Sequence, residues 1–270
     1  MDVLFPFGFP WPTAMYLTLY VGTLTLHMLL MHYVLAGSAW VAWDSIASAF
    51  KSKPATPSVT TALLQDWLPF ALGGAITAGV APLLFVQILY QREFYTANLL
   101  LFHRWMSILP ILIVAFYLLY LQKSPWLNQR LPSLKPWLWM MILFCFLFVG
   151  YSWTENHLLS LQNQDLWTRF FADREIFFAR MEIPLRLSVW FSGAFSTMCL
   201  ILSWQINVQN SVKSIENSAT NKDLKISQPS NLAEVGLISI LMTITFSVGY
   251  YITLAEDTRR VLVGGLAFPY

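Results

Sequence analysis

Four histidines, His27, His32, His103 and His157, are the residues of this chain whose type and placement best suit chemistry. Two of them sit inside one apolar run, "LTLHMLLMHYVLAG", from Leu24 to Gly37. Neutral imidazole is a common ligand of haem iron, and an ionisable side chain within an apolar span tends to mark a functional site. On an α-helix, His32 falls about 7.5 Å further along the axis than His27 and about 140° around it. The two rings therefore cannot hold one iron from the same side. At most one faces a given cofactor, and the other is expected to face a neighbouring helix or a second centre.

His103 opens the third apolar run and His157 follows the fourth, both at the same end of the bundle. The second, fourth, fifth and sixth runs contain no histidine, so a bis-histidine diheme arrangement shared by two helices is not expected. Methionine is the other common haem-b ligand, and Met28, Met31, Met106, Met181, Met198 and Met242 are available. Methionine in a helix also simply fills space.

Other polar groups gather near the same end. The second run, "DWLPFALGGAITAGVAPLLFVQILYQREFY", carries Gly73, Gly74, Ala78, Gly79 and Ala81, a small-residue surface that admits close approach of a helix or a flat ring. Pro82 frees the Ala78 carbonyl and should kink the helix. Gln87 follows, with Tyr90, Gln91, Arg92 and Glu93 beyond it. "FFARMEIPLRLSVW" brings Arg180, Glu182 and Arg186 to the start of the fifth run, and "ITLAEDTRRVLVGG" brings Glu256, Asp257, Arg259 and Arg260 to the end of the sixth. Arginine can neutralise a propionate with its planar fork. Glu182 and Gln87 are the groups expected to take a proton from, or bond to, a quinol.

The elements that must position these groups follow from composition. Of 270 residues, 57% are hydrophobic and only 11% charged, against about 25% charged in soluble domains. Apolar runs long enough to span a bilayer are expected at about 13–44, 67–91, 104–122, 136–154, 183–206 and 233–255. The expected fold is an all-α membrane bundle of about six transmembrane helices in a single domain, 1–270. Twelve Trp and eleven Tyr suit two membrane–water interfaces.

A net charge of +2 and the absence of basic runs interleaved with aromatics exclude a nucleic-acid partner. Cys145 and Cys199 lie in apolar runs as small hydrophobes, without the spacing of a zinc or covalent-haem motif. No internal repeat supports an inverted-repeat transporter. No basic n-region and cleavage site precede the first run, which is expected to act as its own insertion signal.

All seven lysines fall in the first, third and fifth connections, whereas eight of nine arginines lie at the other end. Lys51 and Lys53 follow the first run and nothing basic precedes it. Both termini are therefore expected outside, in the periplasm of a bacterial inner membrane. The fourth connection, "TENHLLSLQNQDLWTRFFADREIFFARMEIPLR", spaces Leu159, Leu166, Trp167, Phe170 and Phe171 as one helical face. It is read as an amphipathic helix lying in the interface, a lid or the side of a lateral opening. The fifth connection, 207–231, reads as a polar loop.

The first run resembles the first helix of the bd-type quinol oxidase large subunit, in which a histidine within an apolar helix ligates a haem ahead of a small-residue turn. The matching residues are His27 or His32 before Gly37, while Arg180 beside Met181 is similar to that family's arginine near a methionine ligand. The chain has fewer spans than that family and lacks its quinol-loop signature and its haem-ligating glutamate, so the resemblance does not imply oxygen reduction. It implies a haem-b, quinol-linked electron-transfer subunit.

The leading reading is thus a b-type cytochrome subunit of a respiratory complex, passing electrons between quinol and an outer-side partner such as a periplasmic c-type cytochrome. Its partners would be other membrane subunits and lipid. His27 is the first ligand, opposite His103 or a methionine, while Arg180, Arg186, Arg259 and Arg260 hold propionates or the partner. A cofactor-free quinol-interacting or scaffolding subunit is the second reading. A transporter or channel lined by His27, His32 and the broken second helix is the third.

Overall fold

A computed structural model describes residues 8, 10–50, 58–218 and 231–254, together with 256 and 259. The described residues form helices and no strand: α1 (Trp11–Ala49), α2 (Val59–Leu89), α3 (Gln91–Leu100), α4 (Phe102–Lys123), α5 (Pro125–Arg130), α6 (Lys135–Ser160), α7 (Gln164–Ala172), α8 (Glu182–Ser218) and α9 (Asn231–Thr253). Six of them, α1, α2, α4, α6, α8 and α9, are long and apolar enough to cross a membrane. The chain is an all-α polytopic membrane protein. Its lysine-bearing end holds the α1–α2, α4–α6 and α8–α9 connections, and its arginine-rich end holds α3 and α7.

Several helices outrun the apolar windows that announce them. A window stops at the first charges, but backbone hydrogen bonding continues wherever those charges are paired or reach water. α6 thus extends through Glu155 and His157 to Ser160, which puts His157 inside the helix rather than after it. α8 runs to Ser218, so 207–218 are helical and not loop. Pro69 and Pro82 lie within α2, which continues unbroken across both. Gln91, Arg92 and Glu93 open the separate helix α3, which follows Tyr90.

Local chemistry ties these helices together. The Ser58 side chain caps α2 by accepting from the Thr61 N–H at 3.2 Å, and the Thr61 hydroxyl donates to Asp44 of α1 at 2.8 Å. Between α8 and α9, Ser196 meets Ser239 at 2.7 Å and Thr243 donates to Ser192 at 3.0 Å. Small hydroxyl residues let two membrane helices approach closely while keeping their polar atoms satisfied.

Two apolar cores result. The larger, in the lysine-side half, packs Val34 and Val41 of α1, Leu64 and Leu68 of α2, Leu119 of α4, Ile142 of α6 and Met198 of α8. The smaller, at the arginine-rich end, gathers Leu101, Leu159, Trp167, Phe170 and Phe178. α7 is amphipathic as expected, but Leu159 belongs to α6, and Phe171 faces outward while Trp167 and Phe170 cover the bundle. The Trp167 indole N–H donates to the Leu159 carbonyl at 2.8 Å.

Candidate functional site

Between the two cores lies a cavity of about 1560 Å³ lined by side chains of all six spanning helices. Pockets for drug-sized molecules hold roughly 300–1000 Å³, so this chamber is large enough for a bulky ligand. Its wall is almost wholly apolar. The polar side chains on it are few and of recognisable kinds: His27, His157, Arg186, two tyrosines, three serines and three tryptophans.

His27 is the best-defined of these. Its Nδ1 lies 2.8 Å from the Ala75 carbonyl of α2. A carbonyl only accepts, so Nδ1 carries the proton and Nε2 is left with a free lone pair. This is how ligating histidines are held, one ring nitrogen bonded to a carbonyl and the other presented to the metal. Gly79 makes the arrangement possible, because a Cβ there would lie 2.8 Å from His27 Nδ1. The small-residue surface of α2 therefore receives the imidazole of α1.

His32 points elsewhere, as helical geometry requires. Its Nδ1 lies 3.2 Å from the Thr197 hydroxyl of α8, its Nε2 is buried without a hydrogen-bond partner, and the ring does not line the cavity. His103 is exposed at the start of α4 and does not line the cavity either, so it does not stand opposite His27. His157, which drew the least attention in the sequence, does line it. Met28, Met31, Met106 and Met242 are on the wall, Met198 is packed in the core, and Met181 is exposed.

The remaining sequence candidates separate in the same way. Arg186 lines the cavity, whereas Arg180 is exposed with its guanidinium over the Phe178 ring at 5.3 Å. Glu182, the first residue of α8, and Gln87, which accepts from the Tyr95 hydroxyl at 3.3 Å, both lie off the cavity. Arg259 is half-buried beyond α9 and its Nε has no partner, while Arg260 and Asp257 lie outside the described residues. Beside Gln87, burial pushes the Tyr90 phenol up from its ordinary value, and the Glu93 carboxylate adds to that shift.

A charged pair that the sequence reading missed borders the site. Arg104 of α4 bonds Glu155 of α6, whose side chain is fully buried. Glu155 also accepts from the Phe178 N–H at 2.8 Å, and Arg104 donates to the Ile176 carbonyl at 3.2 Å. The segment after α7 is thereby pinned to the bundle, with Phe177 stacked on Arg104 at 4.4 Å. The available signal was that Arg104 and Glu155 both fall at the edges of adjacent antiparallel apolar runs, at the same end.

Among the described residues, no three His, Cys, Asp or Glu converge to hold a metal. A metal beside His27 would need most of its ligands from a ring such as a porphyrin, and a free Nε2 on an apolar chamber of this size fits such a group. No family model, curated protein or solved structure matches the chain.

Proposed function

We propose that the chain is a haem-b-binding, quinol-linked electron-transfer subunit of a larger membrane complex. The observation that carries this reading is His27, with its proton fixed on Nδ1 by the Ala75 carbonyl and its other nitrogen free beside a large apolar cavity. When bound, haem b supplies reversible one-electron chemistry at iron. The protein's part is to present the His27 Nε2 lone pair in one orientation, to keep Gly79 small behind the ring, and to exclude water with aliphatic and aromatic walls. Burial of this kind is one of the means by which a protein tunes a haem's reduction potential.

Met28, Met31, Met106, Met242 and His157 line the same cavity and would be the residues available to hold the group together with His27. A quinol, soluble in the bilayer, is the donor or acceptor in keeping with an intramembrane site. A c-type cytochrome in the periplasm, facing the arginine-rich end, is the partner consistent with both termini lying outside a bacterial inner membrane. An ion pathway would instead need polar groups along its lining, and this wall supplies few.

The test is the reduced-minus-oxidised spectrum of the chain purified from haem-replete cells. The bands of a b-type haem are expected, and a folded chain without them would remove this reading. The supporting glycine gives a finer check. Gly79→Ala should push the imidazole off the Ala75 carbonyl and weaken haem binding by roughly 10–100-fold, the usual effect of disturbing a ligand's support. Gly73→Ala, where a Cβ would meet nothing within 4 Å, should leave binding unchanged. Equal binding by the two variants would show that Gly79 does not position the ring.

A further inference from the structure

Arg186, in the second turn of α8, lines the cavity, and among the described residues no carboxylate pairs with it. Its guanidinium lies over the Trp190 ring at 5.3 Å. His157 of α6 and Tyr20 of α1 stand within electrostatic reach of it and line the same space. An unpaired cation on an otherwise apolar chamber inside a membrane protein is costly unless a counter-charge joins it. Arg104 shows the contrast: half-buried like Arg186, it has its own carboxylate in Glu155.

We propose that Arg186, beside His157, is the seat of a carboxylate carried on an apolar body that fills the cavity. Guanidinium and carboxylate match in a bidentate fork, and the Trp190 ring keeps the fork from swinging freely. Tyr20 precedes His27 by seven residues of α1, which places the seat roughly 10 Å nearer the arginine-rich end than the imidazole. The occupant is therefore an amphiphile with its anionic group toward that end and its apolar mass toward His27. A porphyrin, apolar over its faces with two carboxylates on one edge, has this polarity, and so has a fatty acid. The proposal rests on the cavity being a ligand chamber, as the haem reading does, but it does not rest on iron.

Metal-free protoporphyrin IX has no iron for His27 to bind, so it tests the seat alone. The purified chain in detergent is titrated with protoporphyrin IX, with its dimethyl ester and with oleate, followed by porphyrin fluorescence and its displacement. The diacid is expected to bind at least roughly tenfold more tightly than the ester, the scale of one charge-assisted bond. Arg186→Gln should erase that preference and leave the ester's affinity in place, which also reports an intact fold. Arg186→Lys should keep part of the preference. If the diacid has no advantage but oleate displaces the ester in wild type and not in Arg186→Gln, the seat stands with a fatty acid as its source. In that event the haem reading loses Arg186 as a propionate partner and stands or falls on the spectrum and on His27. Equal affinities of the wild-type chain for diacid and ester, with oleate competing alike in wild type and Arg186→Gln, would overturn the proposal.

Discussion

Replacing His27 by Ala is expected to abolish haem binding while the helical bundle stays folded. The imidazole sits on the cavity wall and not in the packed core, so its removal enlarges a space that already exists. The lost bond to the Ala75 carbonyl is worth about 1 kcal/mol, a modest change for a bundle of this size. The loss of an iron ligand should exceed the roughly 10–100-fold effect of disturbing a ligand's supporting bond. His103→Ala and His32→Ala are the internal comparisons. The first ring is exposed, and the second contacts Thr197 away from the cavity. Haem content measured in the three purified variants should fall only in His27→Ala. An equal fall in His32→Ala would mean that the ligand assignment has chosen the wrong ring.

The second large effect is on stability. Arg104→Ala should destabilise the protein by about 3–5 kcal/mol, because it leaves Glu155 as an uncompensated buried charge. Only the Phe178 N–H would remain to satisfy that carboxylate. Glu155→Gln should cost less. Arg104 retains some exposure, the Ile176 carbonyl as acceptor, and the rings of Phe177 and Tyr151 on which it lies. The double change Arg104→Ala with Glu155→Leu should recover part of the loss, as apolar replacements of buried ion pairs often do. Denaturant unfolding in detergent ranks the three variants, and limited proteolysis reads the segment after α7 that the pair pins down. If Arg104→Ala unfolds within about 0.5 kcal/mol of wild type, in the range of ordinary surface changes, the pair is not holding that segment.

How far these features could be read in the sequence depended on what kind of force decides them. The six spans were legible because an apolar run of bilayer length has few alternatives. That His27 and His32 must part company was also legible, since it follows from helical angles alone. Which of them meets the second helix was not. That depends on the rotation of α1 against α2, which is set by close contacts such as Gly37 against Leu64 and Gly79 against the imidazole.

Helix ends were misjudged for a related reason. A hydropathy window treats Glu155 as a terminus, although the structure buries and pairs it within α6. His157 was undervalued as a consequence, and it reaches the cavity only because α6 continues past the charge. Glu182 and Arg186 stand in the sequence as neighbouring charges at one helix start, the first expected at a quinol and the second at a propionate. Four residues apart, they share nearly one helix face; what separates them is about one turn along the axis, which leaves Glu182 at the helix start off the cavity and sets Arg186 on it.

The identity of the iron's axial atom is the most direct test of the central claim. The chain, labelled with ¹⁵N-histidine and loaded with haem, is examined by pulsed electron paramagnetic resonance in the ferric state. A directly bound ¹⁵N is expected in wild type and in His32→Ala. In His27→Gly, haem binding should be lost and then restored by free unlabelled imidazole occupying the vacated space. The restored sample should show ¹⁴N, and not ¹⁵N, from the axial position on the His27 side. Haem that stays bound in His27→Gly without added imidazole, with its ¹⁵N coupling unchanged, would contradict the assignment of His27 as the ligand.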